Sequence, residues 1–382
     1  MRPNLEPTPK WKIGWGVTGK CNMSCAFCYS LVARNDIVEL DFPVMRDFVD
    51  ANHSTIDSIN YGTGENTLSA RWFELVKYVR IHYPEIRQAL TTNGYLAPSL
   101  HNRQDAEAIL AALDEIDLSL DYADPARHST SRGHARAFQW AQETIDICRQ
   151  AQVETTLVIL GIDDTLALSN LGAIFDLAGE KGCFVRINIF RPNHHQKLAP
   201  LSYSVLKQAI AFVIENHSVV SLSDPLFAAI VSGEKSPDAS GTTSLRILPD
   251  GSITPSTYLV TNRWKRAHIR DAMLDDRSLV DRLSQGISTE TIPDTCSGCA
   301  YVNLCRGGAI DRRMIWYGTM SQRDPYCPCR NNDPPDSWRD LGNINQVDGP
   351  GIHDGYLPTL IFAPGRVAVA PIPTEPQKRG KC

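Results

Sequence analysis

The stretch that decides the fold is residues 11–28, WKIGWGVTGKCNMSCAFC, in which an apolar segment leads directly into three cysteines. Trp11–Val17 has the composition of a buried β-strand. Cys21, Cys25 and Cys28 follow it at the spacing C-x3-C-x2-C, from which thiolates can converge on one metal centre. Three cysteines leave one iron of a four-iron cluster without a protein ligand, whereas a cluster that only transfers electrons normally has four. The loop therefore predicts a cluster that also binds a small molecule, with a zinc ion as the alternative.

The residues after this loop alternate between strand-like and helix-like patterns as far as residue 216. Strands are predicted at residues 54–61, 87–92, 116–121, 155–161 and 184–190, and helices at residues 71–82, 105–113, 135–150, 167–178 and 203–216. With Trp11–Val17 this makes six strands. Their alternation with helices predicts a parallel sheet with crossover helices, either open or curled into a barrel. Reactive groups in such folds gather at the carboxyl ends of the strands, where the cysteine loop begins.

Length and charge exclude several classes of protein. The chain has 382 residues with 38 basic and 43 acidic side chains, a formal charge of −5. That balance disfavours a general polyanion-binding surface. No apolar run approaches the about 20 residues of a membrane span, and the Pro-rich segment Met1–Lys10 lacks the apolar core of a secretory signal. We therefore expect a cytoplasmic protein that binds neither nucleic acid nor membranes.

The second half of the chain has a different pattern. Residues 245–260 predict a β-hairpin that turns at Asp250-Gly251, and a short helix is expected near residues 278–283. A second group of cysteines follows at positions 296, 299, 305, 327 and 329. Residues 330–382 contain 8 prolines. This density predicts an extended tail that lies on the surface or is partly disordered.

The first cysteine loop resembles that of the radical S-adenosylmethionine (SAM) superfamily in its spacing, in Phe27 before the third cysteine and in its place after the first strand. The resemblance implies a 4Fe–4S cluster on Cys21, Cys25 and Cys28 whose open iron binds SAM. An electron from a reductant such as flavodoxin or ferredoxin would cleave SAM to methionine and a 5′-deoxyadenosyl radical, which abstracts a substrate hydrogen. The resemblance also implies the fold class, an α/β partial (β/α)6 TIM-like barrel over residues 1–218.

A motif after the second strand carries the same resemblance. Residues 61–66, YGTGEN, resemble the family's glycine-rich segment. The segment is therefore implied to meet the methionine amino group of SAM through Gly62, Thr63, Gly64 and Glu65. A glycine lets the backbone approach a ligand, and a carboxylate suits an ammonium group. Thr63 replaces one residue of the usual glycine pair, and a plain turn is the alternative interpretation.

The ends of the third and fourth strands supply further candidates. TTNG at residues 91–94 and LSLD at residues 118–121 resemble the same superfamily, although an Asn-Gly pair is also a common turn. Ser119 and Arg132 are implied to contact the methionine carboxylate of SAM. No catalytic acid or base stands out among the candidates Asp121, Asp250, His194 and His195. The histidine pair is expected either at the barrel mouth or in solvent.

The second group of cysteines begins with C-x2-C-x5-C and resembles the SPASM/twitch extension of radical SAM enzymes. It implies a small C-terminal iron–sulfur domain at residues 219–330, with residues 331–382 as a Pro-rich tail. Two positions that carry cysteine in the full pattern are Ser256 and Ala309 here. The remaining cysteines imply one auxiliary 4Fe–4S cluster for electron transfer, with the ligands Cys296, Cys299, Cys305 and Cys327. A four-cysteine zinc site and ligation by Cys329 in place of Cys327 are the alternatives.

Three cysteines fall outside these ligand sets. Cys148 and Cys183 are expected to be buried core thiols, and Cys382 a free thiol. An odd total of eleven cysteines in a chain without a secretory signal argues against a disulfide framework.

The resemblance leads to two hypotheses for the substrate of an oxidoreductase-type enzyme. Enzymes with this extension cross-link, oxidise, epimerise or excise residues of ribosomally made peptides. Many begin with a peptide-recognition domain, whereas 20 residues precede Cys21 here. A separate leader-peptide-binding protein, or the tail, is then expected to recognise the peptide. The alternative is a dehydrogenase or mutase of a small biosynthetic intermediate. A metal-binding scaffold without activity is disfavoured, because a scaffold needs no glycine-rich site for SAM.

Overall fold

The computed structural model describes residues 10–31, 39–192, 198–288 and 291–366. His194, His195 and Cys382 lie outside these ranges. The strands are β1 (Trp11–Trp15), β2 (Ile56–Tyr61), β3 (Arg87–Thr92), β4 (Glu115–Ser119), β5 (Glu154–Gly161), β6 (Phe184–Ile189), β7 (Ser218–Leu222), β8 (Ser244–Ile247), β9 (Ser252–Thr254), β10 (Ala267–His268) and β11 (Leu360–Ala363).

These strands form one sheet in the order β10-β9-β8-β1-β2-β3-β4-β5-β6-β11-β7. The first six strands pair in parallel with their neighbours in sequence. Both faces of a parallel sheet are covered, which explains why β5 is buried along Leu157, Val158 and Ile159. The predicted α/β fold with a parallel sheet is confirmed.

Helices connect the parallel strands and cover the sheet. Among the described residues, the α-helices of five or more residues are α1 (Phe42–Asn52), α2 (Ala70–His82), α3 (Leu96–Leu100), α4 (Ala106–Ala111), α5 (Pro125–Arg132), α6 (Ala137–Gln150), α7 (Leu168–Lys181), α8 (Tyr203–Asn216), α9 (Arg277–Ser284) and α10 (Ile310–Tyr317). Helix α6 buries Trp140, Ala141, Ile145 and Cys148, at the spacing of one helical face. Within the described residues, no helix is long and apolar enough to cross a membrane.

The sheet continues past residue 218, where the sequence pattern changes. The predicted hairpin is formed by β8 and β9, which pair antiparallel. Strand β8 also pairs in parallel with β1, so that the hairpin extends the sheet beside the first cysteine loop. Arg246 of β8 thereby comes next to Gly14 of β1.

The expectation of a surface tail after residue 330 is wrong for much of the described segment. Strand β11 lies between β6 and β7 and runs antiparallel to both. Trp338 and Phe362 are fully buried. The density of prolines predicted an extended surface tail, whereas the apolar residues 360–362 lie inside the sheet between β6 and β7.

The segment just before β11 closes the amino-terminal end of the barrel. Glu115, the first residue of β4, accepts hydrogen bonds from the backbone N–H groups of Gly351 (2.8 Å) and Ile352 (3.0 Å). Lys12, near the start of β1, donates to the carbonyl of Asp354. Because parallel strands all begin on the same side, these contacts place residues 351–354 beneath the sheet interior.

Candidate functional site

A cavity of about 1150 Å³, counted with its open mouth, lies where the parallel strands end. The sequence candidates that line it are Cys21, Cys25, Phe27, Cys28, Gly62, Thr63, Gly64, Ser119 and Arg132. Each lies at or after the end of a parallel strand, and carboxyl ends of parallel strands meet on one side of the sheet. The structure thus brings together the cysteine loop and the candidates from the ends of β2 and β4.

The three thiols of the first loop have polar neighbours. The Asn93 side-chain amide donates to the Cys21 sulfur at 3.6 Å. The Cys25 thiol donates to the Arg132 carbonyl at 3.7 Å, and the Cys28 sulfur lies 3.2 Å from the Ser30 hydroxyl. Burial raises the pKa of the Cys25 thiol, and the positive charge of Arg132 opposes that effect. Metal binding would offset the cost of ionising this buried thiol.

The glycine-rich segment packs directly on the cysteine loop. Gly64 has a φ of +62°, and a Cβ at this position would lie 2.3 Å from the Lys20 carbonyl oxygen. Only glycine fits such a close approach with this backbone conformation. Thr63 also has a positive φ, +83°, which is an unfavourable conformation for a β-branched residue.

Of the four site candidates Gly62, Thr63, Gly64 and Glu65, only Glu65 is not among the residues lining the cavity. Its fully buried carboxylate accepts hydrogen bonds from the Asn93 backbone N–H (2.8 Å) and from the hydroxyls of Thr67 (2.8 Å) and Thr92 (3.0 Å). Burial raises its pKa, and these donors oppose the rise. Glu65 thus fixes the turn at Thr92–Asn93. The Asn93 side chain of that turn donates the hydrogen bond to the Cys21 sulfur. A contact of Glu65 with an ammonium group remains a prediction.

Arg132 and Asp121 form a buried ion pair at the cavity wall. The Arg132 Nη2 atom lies 2.7 Å from Asp121 Oδ2, and its guanidinium lies 5.1 Å from the centre of the Phe27 ring. Asp121 also accepts a hydrogen bond from the Leu160 backbone N–H at 3.0 Å. Asp121 therefore orients Arg132. Asp250 is engaged elsewhere, since it pairs with Lys265 at 2.7 Å in the hairpin turn.

Several cavity residues were missed by sequence reasoning. Arg246, Tyr258, His353 and Tyr356 line the same cavity but belong to the hairpin and the C-terminal segment. Tyr356 reaches deep inside, since a Cβ at Gly14 would lie 1.5 Å from its hydroxyl oxygen. An arginine within the apolar strand β8 was the one available signal. The others depend on pairing between distant segments.

His353 belongs to a buried polar network beneath the cavity. Its Nε2 atom lies 2.6 Å from Asp117 Oδ2, which also pairs with Arg186 at 3.1 Å. Burial and the positive charge of Arg186 hold the pKa of His353 well below its usual range. The Asn60 side chain contacts the same histidine. The network fastens the C-terminal segment to strands β2, β4 and β6.

The second group of cysteines also comes together in the structure. Cys296 and Cys305 are buried, and Cys299 and Cys327 are half-buried. Burial raises the pKa of the Cys305 thiol to about 12, and Cys327, Cys296 and Cys299 raise it further through their charge. Burial also raises the pKa of the Cys327 thiol, and hydrogen bonds from the backbone N–H groups of Arg330 and Cys329 oppose that rise. The Cys329 backbone therefore faces the Cys327 sulfur.

Both cysteine sets fit iron–sulfur clusters by the chemistry of their donors. The first offers three soft sulfur ligands beside an open cavity, and the second offers four with nearby N–H donors. Among the described residues, no group of three or more His, Cys, Asp or Glu side chains is placed to hold a single metal ion. Ser256 and Ala309 cannot supply sulfur, and the Ala309 N–H donates to Asp324 at 3.1 Å.

Comparison with known proteins agrees with the family resemblance of the first cysteine loop. Residues 15–167 match the family model of the Radical SAM superfamily. The mycofactocin maturase MftC of Mycolicibacterium smegmatis is 23% identical over 330 residues, which cover 82% of this chain and 81% of that protein. The cysteine-type anaerobic sulfatase-maturating enzyme of Clostridium perfringens is 23% identical over 344 residues, covering 80% of this chain and 90% of that protein.

Solved structures share the fold. The structure of anSMEcpe with bound AdoMet aligns with a TM-score of 0.66 and 18% identity, over 85% of this chain and 95% of that one. Streptococcus suis SuiB bound to the precursor peptide SuiA aligns with a TM-score of 0.65 and 15% identity, over 84% of this chain and 76% of that one. The family match spans the cysteine loop and the next three strand ends at the cavity. Residues 15–167 are therefore the part of the chain that matches the Radical SAM superfamily.

Proposed function

We propose that this chain is an oxidoreductase-type radical SAM enzyme that modifies a ribosomally made peptide. One observation carries the proposal: the three cysteines of the first loop share a cavity with the glycine-rich segment, Ser119 and Arg132. When bound, the 4Fe–4S cluster and SAM supply a 5′-deoxyadenosyl radical that abstracts a hydrogen atom from the substrate.

The cavity residues hold and orient these groups. Cys21, Cys25 and Cys28 ligate the cluster, and the Asn93 amide fixes the Cys21 sulfur by its hydrogen bond. The backbone of residues 62–64, which Gly64 packs closely against the cysteine loop, binds the methionine amino group. Ser119 and Arg132 bind the methionine carboxylate, with Arg132 held in place by Asp121.

The second cysteine group holds one auxiliary 4Fe–4S cluster. Cys296, Cys299, Cys305 and Cys327 supply four protein ligands, so that no iron remains open for substrate. Electron transfer is the role that such a cluster suits. A flavodoxin or ferredoxin supplies the electrons. The free thiols of the proposed cluster ligands suit the reducing environment of the cytoplasm.

The relatives favour a peptide substrate over a small metabolite. MftC and the sulfatase-maturating enzyme are named as maturases, and SuiB has been solved with its precursor peptide SuiA. We extend this substrate class to the present chain, with a separate leader-peptide-binding protein as a further partner.

Co-expression with each short open reading frame beside the gene tests the proposed substrate. We expect one encoded peptide to change in mass with the wild-type enzyme and with the Cys183→Ala control, because Cys183 is a buried core thiol outside both cysteine groups. The Cys25→Ala variant is expected to leave the peptide unchanged. Consumption of SAM with a small metabolite, and with none of the encoded peptides, would show that the peptide assignment is wrong.

A further inference from the structure

The cavity contains one arginine whose charge has no acidic partner. Four arginines line the cavity. Three of them pair with aspartates: Arg132 with Asp121 (2.7 Å), Arg186 with Asp117 (3.1 Å) and Arg191 with Asp311 (2.8 Å). The fourth, Arg246, has no carboxylate oxygen within 4.0 Å among the residues that the structure describes. The cavity wall therefore carries one positive charge that the carboxylates of the described segments leave uncompensated.

Arg246 is buried with donors to spare. Only 2% of the Arg246 surface is exposed to solvent. Nη1 donates to the Tyr356 hydroxyl at 3.2 Å, and Nη2 contacts the Gly62 carbonyl and the Thr63 hydroxyl. A guanidinium has five N–H donors, so these three contacts leave two, including the Nε–H, which has no partner within the described part of the chain. Two hydroxyls and a carbonyl solvate the charge but do not neutralise it.

The local backbone holds this guanidinium at the cavity. Thr63 replaces a glycine of the family's segment and has the unfavourable φ of +83°. Its hydroxyl accepts a hydrogen bond from Arg246. The threonine that replaces a glycine of the family's segment is therefore in direct contact with the arginine that lacks an acidic partner. Strained residues that persist at a ligand cavity point to a role in binding.

A buried charge without a counter-ion is costly unless a ligand supplies the opposite charge. We propose that Arg246, held by Thr63 and Gly62, binds a carboxylate group of a molecule in the cavity. The inference rests on the proposed function, which places SAM and a peptide there. SAM carries a carboxylate on its methionine part, and a peptide carries one at its C-terminus or on an acidic side chain.

Binding to the cluster-loaded protein under anoxic conditions tests the subsite and separates these two sources. The first arm compares SAM with S-adenosylmethioninamine, which lacks the carboxylate. The second arm, in saturating SAM, compares N-acetyl-triglycine with its C-terminal amide. Each pair is measured with wild type, Arg246→Gln and the matched control Arg282→Gln, an exposed arginine on α9. Since neither arm requires turnover, loss of SAM cleavage would refute the proposed function and leave this test intact.

We expect wild type and Arg282→Gln to prefer the carboxylate by about tenfold or more in at least one arm. Arg246→Gln should reduce that preference by about fivefold or more in the same arm, while Ser119 and Arg132 retain part of the preference for SAM. A reduction in the first arm identifies the methionine carboxylate, and a reduction in the second arm identifies a peptide carboxylate. No preference in either arm of wild type, or preferences that Arg246→Gln leaves unchanged in both arms, would overturn the proposal. If Arg246→Gln fails to load its clusters, Arg246→Lys takes its place, with a smaller but still measurable loss expected because lysine lacks the forked donors.

Discussion

At the scale of single residues, Gly64 is confined by the backbone of the cysteine loop. An alanine there would place its Cβ 2.3 Å from the Lys20 carbonyl and 2.8 Å from the Thr18 carbonyl, both in the cysteine loop. Backbone cannot give way as a flexible side chain can. We predict that Gly64→Ala weakens SAM binding by about tenfold or more, because overpacking of about 1–3 kcal/mol displaces the loop.

Gly182 provides a matched control for that variant. It has a similar positive φ of +71°, with nothing within 4 Å of a built Cβ. Gly182→Ala therefore introduces the strain of a positive φ but no steric clash of the new Cβ. We expect this variant to lose about 1 kcal/mol of folding stability and to bind SAM as wild type does. Equal SAM affinities for the two variants, measured by equilibrium dialysis, would contradict the proposed contact between the two loops.

Glu115 is one residue through which pH acts on the C-terminal segment. Burial raises its pKa to about 7, although the N–H groups of Gly351 and Ile352 oppose the rise. The folded protein therefore holds this proton more tightly than the unfolded chain. Its contribution to stability is complete below the ordinary pKa of a glutamic acid and is lost as the pH rises through about 7.

We predict that Glu115→Gln reduces this loss of stability, because its amide oxygen still accepts the same hydrogen bonds and never ionises. At about pH 8 the variant should exceed wild type by about 2 kcal/mol in unfolding free energy, and at about pH 5 the two should be similar. Urea midpoints at both pH values measure this, with the exposed Glu107→Gln as control. A pH dependence identical to that of wild type in Glu115→Gln would contradict the assignment.

At the scale of structural elements, β11 is the part that differs most from expectation. It has strands on both sides, with Leu360 opposite Ile187 of β6 and Leu222 of β7. We predict that amides of residues 360–363 exchange with deuterium as slowly as those of β6, because the same sheet protects both. The exposed loop at residues 234–237 serves as the fast reference. Exchange of β11 at the rate of that loop would refute its place in the sheet.

The second cysteine group is an element with its own test. Replacing Cys299 removes one of four ligands from the auxiliary cluster and none from the first. We predict that Cys299→Ala loses about four of about eight irons per chain and retains the change that SAM causes in the spectrum of the remaining cluster. Cys148→Ala, in the core of α6, should keep its full iron content. An unchanged iron count in Cys299→Ala would remove this cysteine from the ligand set.

At the scale of the whole molecule, one sheet joins segments that are far apart in sequence. Arg312 of α10 lies fully buried between Asp224 and Asp324, and Asp311 pairs with Arg191 beyond β6. These ion pairs fix the second cysteine region against the barrel. The hairpin and the C-terminal segment thus line part of the cavity that also contains the first cysteine loop.

Whether a feature could be predicted from the sequence depends on how far apart its interacting residues lie along the chain. The alternation from β1 to α8 depends on local periodicity, and the helix at Tyr203–Asn216 was predicted with its observed ends. Strand β11 was missed because its partners are more than 130 residues away. Arg246 and Tyr356 were missed for the same reason. Glu65 was identified as a site residue, but its inward-facing hydrogen bonds could be seen only in three dimensions.

The most direct test of the central claim is the formation of 5′-deoxyadenosine. Reconstituted, dithionite-reduced protein is incubated with SAM under anoxic conditions, and the product is followed by chromatography. We predict that wild type and Cys183→Ala form 5′-deoxyadenosine, whereas Cys25→Ala forms none. Formation by Cys25→Ala at the wild-type rate would contradict the role assigned to the first cysteine loop. So would a cluster-loaded wild type that forms no product and whose spectrum SAM leaves unchanged.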